Sequence, residues 1–161
     1  MKHLLYIICL AVILSMQGFA QKDTVEVPDV YSSGQEGTLN AAVQAAIDAG
    51  TISNTVFKLS PYGLYVLTGA ITTTNGQILE IVAPEAGTTQ ETAPAQIIWT
   101  ASSAPHKRYN FDCGGDVIMK NVWIMYGSID GAQVGSTIRV GDSVGVSSTG
   151  MNAQFDGCIF E

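Results

Sequence analysis

The clearest pattern of apolar and polar positions lies in the segment VIMKNVWIMY, which begins at Val117. Val117 and Met119 form one alternation, and Val122 and Ile124 form a second. In a straight strand Met119 and Val122 point to opposite faces, because side chains alternate with a period of two. A bend at Asn121 puts all four on one face, since Asn tolerates the left-handed backbone conformation better than most residues. The pattern therefore predicts two short strands joined at a left-handed bend.

The same pattern recurs near the end of the sequence, in AQFDGCIF. Four apolar or small side chains flank its bend: Ala153, Phe155, Cys158 and Phe160. Gly157 takes the place of Asn121, and Gly accepts a left-handed bend at little cost. The two bends are 36 residues apart. We interpret the two segments as successive coils of a parallel β-solenoid.

From Thr55 onward the chain consists of short apolar alternations separated by Gly, Asp, Ser and Pro. The predicted strands are 55–59, 64–67, 77–83, 96–100, 108–111, 117–126, 137–140, 144–147 and 153–160. An antiparallel sandwich also contains many short strands. We favour the solenoid, because two-residue hairpin turns are nearly absent and the strand-bend-strand pattern is repeated.

A single amphipathic helix precedes these strands. Its apolar residues have helical spacing: Leu39, Ala42, Val43, Ala46 and Ile47. Thr38 is the predicted N-cap and Gly50 the predicted stop. Because a terminal solenoid coil needs a cover for its core, we assign that capping role to the helix. The polar residues 21–37 predict an extended lead-in.

The first twenty residues have the composition of a secretory signal peptide. A basic start at Lys2 is followed by an apolar run over 4–16 and by the small-x-small site Gly18-Phe19-Ala20. The apolar run is shorter than a membrane-spanning helix requires. We therefore predict cleavage after Ala20 and a secreted or cell-surface protein with no membrane span after cleavage. The predicted organisation is signal peptide 1–20, lead-in 21–37, and helical cap with the first coils over 38–161.

Charge and cysteine content narrow the function classes. Seven Lys and Arg residues stand against fourteen Asp and Glu, for a net charge of −7, and no basic stripe is present. Nucleic acid is therefore a poor candidate partner. After the leader two cysteines remain, Cys113 and Cys158. In an oxidising compartment they have two alternatives, a disulfide or, for Cys158, packing as a small apolar side chain.

Several segments together resemble the N-terminal part of right-handed parallel β-helix proteins of the pectate-lyase-like superfamily. They are the helix GTLNAAVQAAIDAG, the opening TVFKLSPYGLYVLTG, and the segments ILEIVAP, QIIWT, KNVWI and DGCIF. The resemblance covers residues 36–161, and the leader and modest charge resemble an exported member of Bacteroidetes type. It implies an all-β, right-handed parallel β-helix with an N-terminal capping helix. The superfamily contains lyases, glycoside hydrolases, esterases, tailspikes and adhesins, so the resemblance implies no single activity.

The sequence departs from this group at its end. Members run to many coils, whereas this sequence stops at Glu161 directly after a strand. Phe155, Cys158 and Phe160 would then form the last layer of an open core, which predicts self-association. We interpret the sequence as the start of a longer product, truncated at the C-terminus; the alternative is a short protein that pairs end to end.

Candidate substrate-binding residues are Lys120, Trp123 and Arg139. In this group a lyase uses Lys or Arg as a base and a cation, often calcium, to neutralise a uronate carboxylate. Lys120 and Arg139 are expected to point outward as solvated charges, and Asp156 is expected to form a stacked ion pair with Lys120. Trp123 is expected to face outward, where exposed rings stack on sugars.

No metal site is assigned from the sequence, and calcium is the one candidate cofactor. Five aspartates are expected in loops or beside bends, without the spacing of a dedicated calcium loop: Asp112, Asp116, Asp130, Asp142 and Asp156. His106 is the only histidine in the sequence after the leader. No Ser or Cys is expected close enough to act as a nucleophile beside it.

The function expected from these features is binding or degradation of polysaccharide by a secreted β-helix protein. If it is enzymatic, we expect β-elimination on uronate-containing glycans, with catalytic residues beyond Glu161. The alternatives are a non-catalytic adhesin or scaffold and a self-assembling module. The sequence does not separate lyase, hydrolase and adhesin.

Overall fold

The computed structural model describes residues 21–100, 109–129, 131, 136–141 and 150–161. The helices are α1 (Val30–Ser33) and α2 (Thr38–Asp48), with 3-10 turns at Ile52–Asn54 and Gln90–Thr92. The strands are β1 (Asp23–Glu26), β2 (Thr55–Lys58), β3 (Leu64–Leu67), β4 (Ile71–Thr73), β5 (Ile78–Val82), β6 (Ala95–Trp99), β7 (Tyr109–Cys113), β8 (Asp116–Lys120), β9 (Val122–Ser128), β10 (Ser136–Val140), β11 (Ala153–Asp156) and β12 (Ile159–Phe160). The described chain is thus mostly β, with few helices, as predicted.

The strands form three parallel sheets. Sheet A has the order β1-β2-β5-β8-β11, sheet B the order β12-β9-β6-β3, and sheet C the order β10-β7-β4. From β2 to β12, consecutive strands enter sheets A, B and C in turn. Every strand pairing among the described residues is parallel, so the antiparallel sandwich is wrong.

The inward positions of successive strands stack on one another. In sheet A, Phe57 is in register with Ile81, Ile81 with Met119, and Met119 with Phe155. The first three are completely buried, and Phe155 is 40% exposed. The pairing of Met119 with Phe155 has the 36-residue offset seen in the sequence, so the predicted repeat is confirmed. The same core includes inward residues of sheets B and C.

The predicted bends are also confirmed. Asn121 has a φ of 57° and Gly157 a φ of 60°, both in the left-handed region. The four apolar side chains that flank the first bend are completely buried: Val117, Met119, Val122 and Ile124. The Asn121 side chain donates from Nδ2 to the Ala83 carbonyl at 3.1 Å, and its backbone N–H donates to the Asp156 carbonyl at 2.8 Å. Asn121 therefore links three successive strands of sheet A at its carboxyl end.

Helix α2 packs into the core through Leu39, Val43 and Ala46, as its apolar spacing predicts. Its N-cap is Gly37 rather than Thr38, which is the first helical residue. The reason is that Gly37 adopts a φ of 74° and donates its N–H to the Val66 carbonyl at 2.8 Å. The fold thus enters the helix through a left-handed residue that also pairs with β3. None of the helices in the described ranges is long and apolar enough to span a membrane.

The segment 21–37 differs from the predicted extended lead-in, because it contains β1 and α1. β1 pairs with β2 and lengthens sheet A, although its sequence DTVE has no alternation of apolar residues. Asp29 is the N-cap of α1, and its carboxylate accepts from the Ser32 N–H at 2.9 Å. The predicted signal peptide 1–20 and strand 144–147 lie outside the described residues.

Cys113 and Cys158 are free thiols, so the disulfide alternative is wrong and the packing alternative holds. Cys113 is completely buried in β7. Cys158 is partly buried against the core, and its Sγ donates to the Met119 carbonyl at 3.3 Å. The two residues belong to different parts of the fold, since Cys113 is in sheet C and Cys158 lies in the short link between β11 and β12.

Candidate functional site

The three candidate substrate-binding residues lie on three different sheets. Lys120 ends β8 in sheet A, Trp123 is in β9 of sheet B, and Arg139 is in β10 of sheet C. The residue before each of them is buried or packed against the core, so each faces away from the core. The structure does not bring the three onto one face, so they do not form one site together.

Arg139 is the best-organised of the three. Its Nε donates to Asp112 Oδ1 at 2.8 Å and its Nη2 donates to Asp112 Oδ2, which makes the pair bidentate. The guanidinium carbon lies 4.5 Å from the centre of the Tyr109 ring. Arg139 was expected to point outward as a solvated surface charge. It does face away from the core, and because β10 and β7 are adjacent, it also lies directly beside Asp112 and pairs with it.

The pair remains accessible to ligands. The side chains of Arg139 and Asp112 are 28% and 20% exposed. The hydrogen bonds from Arg139 to Asp112 raise the pKa of the guanidinium above its ordinary value. Arg139 therefore stays protonated at any physiological pH, and the carboxylate of Asp112 balances its positive charge at the surface.

A row of three polar side chains crosses sheet C at this position. Thr72 of β4 is in register with Asp112 of β7, and Asp112 is in register with Arg139 of β10. Neighbouring strands are about 4.8 Å apart, so the row presents a hydroxyl, a carboxylate and a guanidinium at regular spacing. Together with the Tyr109 ring, this outer face of sheet C is the candidate site, which we call the sheet C face.

Three of its members, Thr72, Asp112 and Tyr109, were not assigned to a site from the sequence. Asp112 was expected in a loop or beside a bend, but it lies within β7, between the buried Phe111 and Cys113. The alternation N-F-D-C was the available signal. This pattern does not show which residue of β10 lies opposite Asp112. That register depends on the length of the intervening loops and cannot be predicted from one sequence.

Trp123 is half-buried on the outer side of sheet B, in register with Gln96 and Ile159. Its Nε1 is buried and has no hydrogen-bond partner among the residues that the structure describes. The predicted outward direction agrees with the complete burial of Val122 and Ile124 on either side. A half-covered ring is a poorer stacking surface than a free one, so Trp123 is a weaker candidate than Arg139.

Lys120 and Asp156 are in register, as expected for a stacked pair, but within the described residues no ion pair joins them. The other lysines of sheet A are paired. Lys58 contacts Glu26 at 2.8 Å, and Lys22 contacts Glu80 at 2.7 Å. Lys120 therefore remains a surface charge on sheet A, away from the sheet C face.

In the part of the chain that the structure describes, no three His, Cys, Asp or Glu side chains are close enough to hold a metal ion. Asp116 instead accepts from the Asn152 N–H at 2.8 Å, which ties β8 to the segment before β11. His106, Asp130 and Asp142 lie outside the described residues.

Comparisons with protein-family models, with curated proteins and with solved structures each gave no match to this chain.

Proposed function

We propose that the three parallel sheets are the walls of a right-handed parallel β-helix with α2 as its cap, the fold that the resemblance to pectate-lyase-like proteins implies. The rotation of consecutive strands through sheets A, B and C supports this proposal, because each full rotation then corresponds to one coil. The stacked column of Phe57, Ile81 and Met119 supports it as well. Connections between parallel strands of one sheet are right-handed in nearly all proteins, and this general preference also supports a right-handed β-helix.

We propose that the protein is exported and binds an acidic polysaccharide on the sheet C face. The observation that carries this proposal is the row Thr72, Asp112 and Arg139, with the Tyr109 ring against the guanidinium. Arg139 has five N–H donors, of which the contact with Asp112 uses two, so the guanidinium can also donate to a uronate carboxylate, and Thr72 and Asp112 supply acceptors for sugar hydroxyls. Tyr109 adds an aromatic surface beside them.

Binding is a better role for Arg139 than proton abstraction. A base in β-elimination must accept a proton, whereas the contact with Asp112 raises the pKa of Arg139 and keeps it protonated. If the protein is a lyase, another residue acts as the base, in accordance with the expectation that catalytic groups lie elsewhere. The non-catalytic alternative is an adhesin or scaffold that uses the same face only to hold glycan.

The binding proposal is tested by titrating polygalacturonate and alginate into the chain from Gln21 onward, with calcium and with a chelator, by isothermal titration calorimetry. Arg139→Ala is expected to weaken binding of the preferred glycan about tenfold or more, because a charge-assisted hydrogen bond contributes about 1.5–3 kcal/mol. Arg139→Lys keeps the charge but loses the bidentate geometry, so we expect an intermediate affinity.

Lys58→Ala is the matched control. It removes one positive charge from sheet A, where Lys58 pairs with Glu26, and leaves sheet C untouched. Equal losses in Lys58→Ala and Arg139→Ala would show that only net charge matters. A folded wild-type chain that binds neither glycan, with or without calcium, contradicts the proposal.

Strands β11 and β12 form an edge of the described fold that exposes apolar side chains. Phe155, Ile159 and Phe160 are each at least 40% exposed, and the rings of Phe155 and Phe160 meet edge to face at 5.4 Å. We propose that a further strand covers this edge, whether it comes from this polypeptide or from a second copy. Sedimentation of the chain from Gln21 onward tests for a second copy. If two copies meet at this edge, the sedimenting mass depends on protein concentration.

A further inference from the structure

A cleft near the N-terminal helix contains two stacked tyrosines and shares no residue with the sheet C face. Its volume is about 360 Å³. It is lined by residues of α1 and its N-cap and by the turn between β2 and β3: Asp29, Tyr31, Ser32, Pro61, Tyr62 and Gly63. A cleft of this size lies at the lower end of the range found for small-ligand sites.

The rings of Tyr31 and Tyr62 are nearly parallel, with centroids 5.9 Å apart and an angle of 15° between their planes. Tyr31 is 65% exposed, the largest exposure among the exposed hydrophobic and aromatic side chains of the described residues. A parallel pair at the surface leaves the outer ring face in contact with water. That face is apolar and flat, which suits the flat, C–H-bearing side of a sugar ring.

The backbone holds Tyr62 in a conformation that is unfavourable for a tyrosine. Its φ is 57°, in the left-handed region that Gly and Asn occupy more easily. Its N–H donates to the Ala93 carbonyl at 2.7 Å, which fixes the turn. Strained residues of this kind are concentrated at functional sites. A glycine here would relieve the strain but would remove the ring that stacks on Tyr31.

Asp29 supplies the polar group of the cleft. Its residue surface is only 9% exposed, and one carboxylate oxygen accepts from the Ser32 N–H at 2.9 Å. The second oxygen accepts no hydrogen bond from any described residue, so it is available to a ligand hydroxyl. Close packing holds Asp29 in place, since a Cβ on Gly63 would lie 3.1 Å from the Asp29 Cβ.

The charge and ring geometry select the class of ligand. Among the described residues no Lys, Arg or His lines the cleft, and the one charged group in that lining is a carboxylate, so an anionic sugar is disfavoured. A quaternary ammonium is usually held among several rings that surround it, whereas these two rings are nearly parallel. A neutral sugar fits both features, with its ring on Tyr31 and a hydroxyl donating to Asp29.

We propose that the tyrosine cleft is a second carbohydrate site, selective for a neutral sugar residue and independent of the acidic-glycan site on sheet C. This inference goes beyond the proposed function and does not rest on it. The two sites differ in their charged groups: the sheet C face has the Arg139–Asp112 ion pair, and the tyrosine cleft has the carboxylate of Asp29 without a cation beside it in the described lining.

The test is calorimetric titration of cellohexaose, xylohexaose and mannohexaose into the chain from Gln21 onward. Wild type is expected to bind at least one of the three. Tyr31→Ala is expected to weaken that binding about tenfold, because an aromatic stacking platform is lost, while Tyr31→Phe keeps the ring and most of the affinity. Asp29→Asn keeps the cap acceptor for Ser32 but removes the charge, and we expect a few-fold loss.

Tyr126→Ala is the matched control, since Tyr126 is also an exposed tyrosine, 42% accessible, but lies in β9. Arg139→Ala should leave neutral-sugar binding unchanged, which separates this site from the sheet C face. The proposal is overturned if folded wild type binds none of the three hexasaccharides. It is also overturned if Tyr31→Ala binds as well as wild type, or if choline binds competitively in place of the sugar.

Discussion

At the scale of single residues, Asn121 combines two roles that can be separated by mutation. It adopts a left-handed conformation, and its side chain donates to the Ala83 carbonyl. Asn121→Gly keeps the conformation and loses the hydrogen bond, so we expect a loss of about 1 kcal/mol in unfolding free energy. Asn121→Ala loses both, and we expect about 2–3 kcal/mol. Urea denaturation followed by circular dichroism measures both values; equal losses would contradict the assignment of strain to this position.

Gly157 provides the complementary variant. A Cβ at Gly157 would lie 2.2 Å from Asn121 Oδ1, and the φ of 60° already disfavours any L side chain. We therefore expect Gly157→Ala to destabilise the protein by more than the left-handed conformation alone costs, about 1–2 kcal/mol. In the double variant with Asn121→Gly the clash disappears. The two effects should then be non-additive, with a combined loss smaller than their sum.

The bends were predictable because the residues that tolerate a left-handed backbone are few, and Asn121 and Gly157 stand between matched apolar alternations. The Arg139–Asp112 contact was not predictable, because neither residue type is restricted to a particular backbone conformation or position. Each residue alone is ordinary for a strand exterior, and only the register of β10 on β7 makes them a pair. The strained Tyr62 was also missed, since a tyrosine in a turn carries no sequence signal for a positive φ.

At the scale of elements, α2 is attached to the strands by one polar side chain as well as by its apolar face. Asn40 donates from Nδ2 to the Gly69 carbonyl at 2.6 Å, and its Oδ1 accepts from the Thr68 N–H at 3.1 Å. Asn40→Ala removes both bonds, and we expect a loss of about 1–3 kcal/mol in unfolding free energy. Amide hydrogen exchange should accelerate at Thr68, which loses its acceptor.

Gln44→Ala on the exposed side of the same helix is the control, because the side chain of Gln44 donates to Asp48 within the helix. Its effect should stay within about 0.5 kcal/mol. If Asn40→Ala and Gln44→Ala lower the unfolding free energy by equally small amounts, the apolar face alone attaches the helix to the strands.

The helix was predictable in position, since its apolar spacing is clear and Gly50 ends it. Its cap was not, because Gly37 acts through a contact with β3 rather than through a side chain. β1 and β4 were missed for a similar reason. DTVE and ITT are too short and too polar to show a period of two, and they become strands because a neighbouring strand offers its free edge.

At the scale of the whole molecule, sheet A, sheet B, sheet C and α2 share one core, so a group that ionises inside it should affect the entire fold. Cys113 and Tyr65 are both completely buried members of that core. Burial raises the pKa of the Cys113 thiol to about 12 and also raises the pKa of the Tyr65 hydroxyl. Both groups are neutral in the folded state at neutral pH, and both favour the neutral form more strongly than the unfolded chain does.

The sign of the resulting pH dependence follows from proton binding. Between about pH 9 and pH 12 the unfolded chain releases the Cys113 proton while the folded chain retains it, so stability is fully present below pH 9 and falls as the pH rises. Cys113 alone should contribute a slope that approaches about 1.4 kcal/mol per pH unit in this window.

Thermal unfolding of wild type from pH 8 to pH 10.5 should show one cooperative transition that moves to lower temperature. Cys113→Ala should be less stable at pH 8 because of the lost packing, yet its stability should fall less steeply with pH. Cys158→Ala, which removes a half-buried thiol, is the control. If Cys113→Ala keeps the wild-type slope, the thiol ionises without opening the core, and the three sheets do not unfold as one unit.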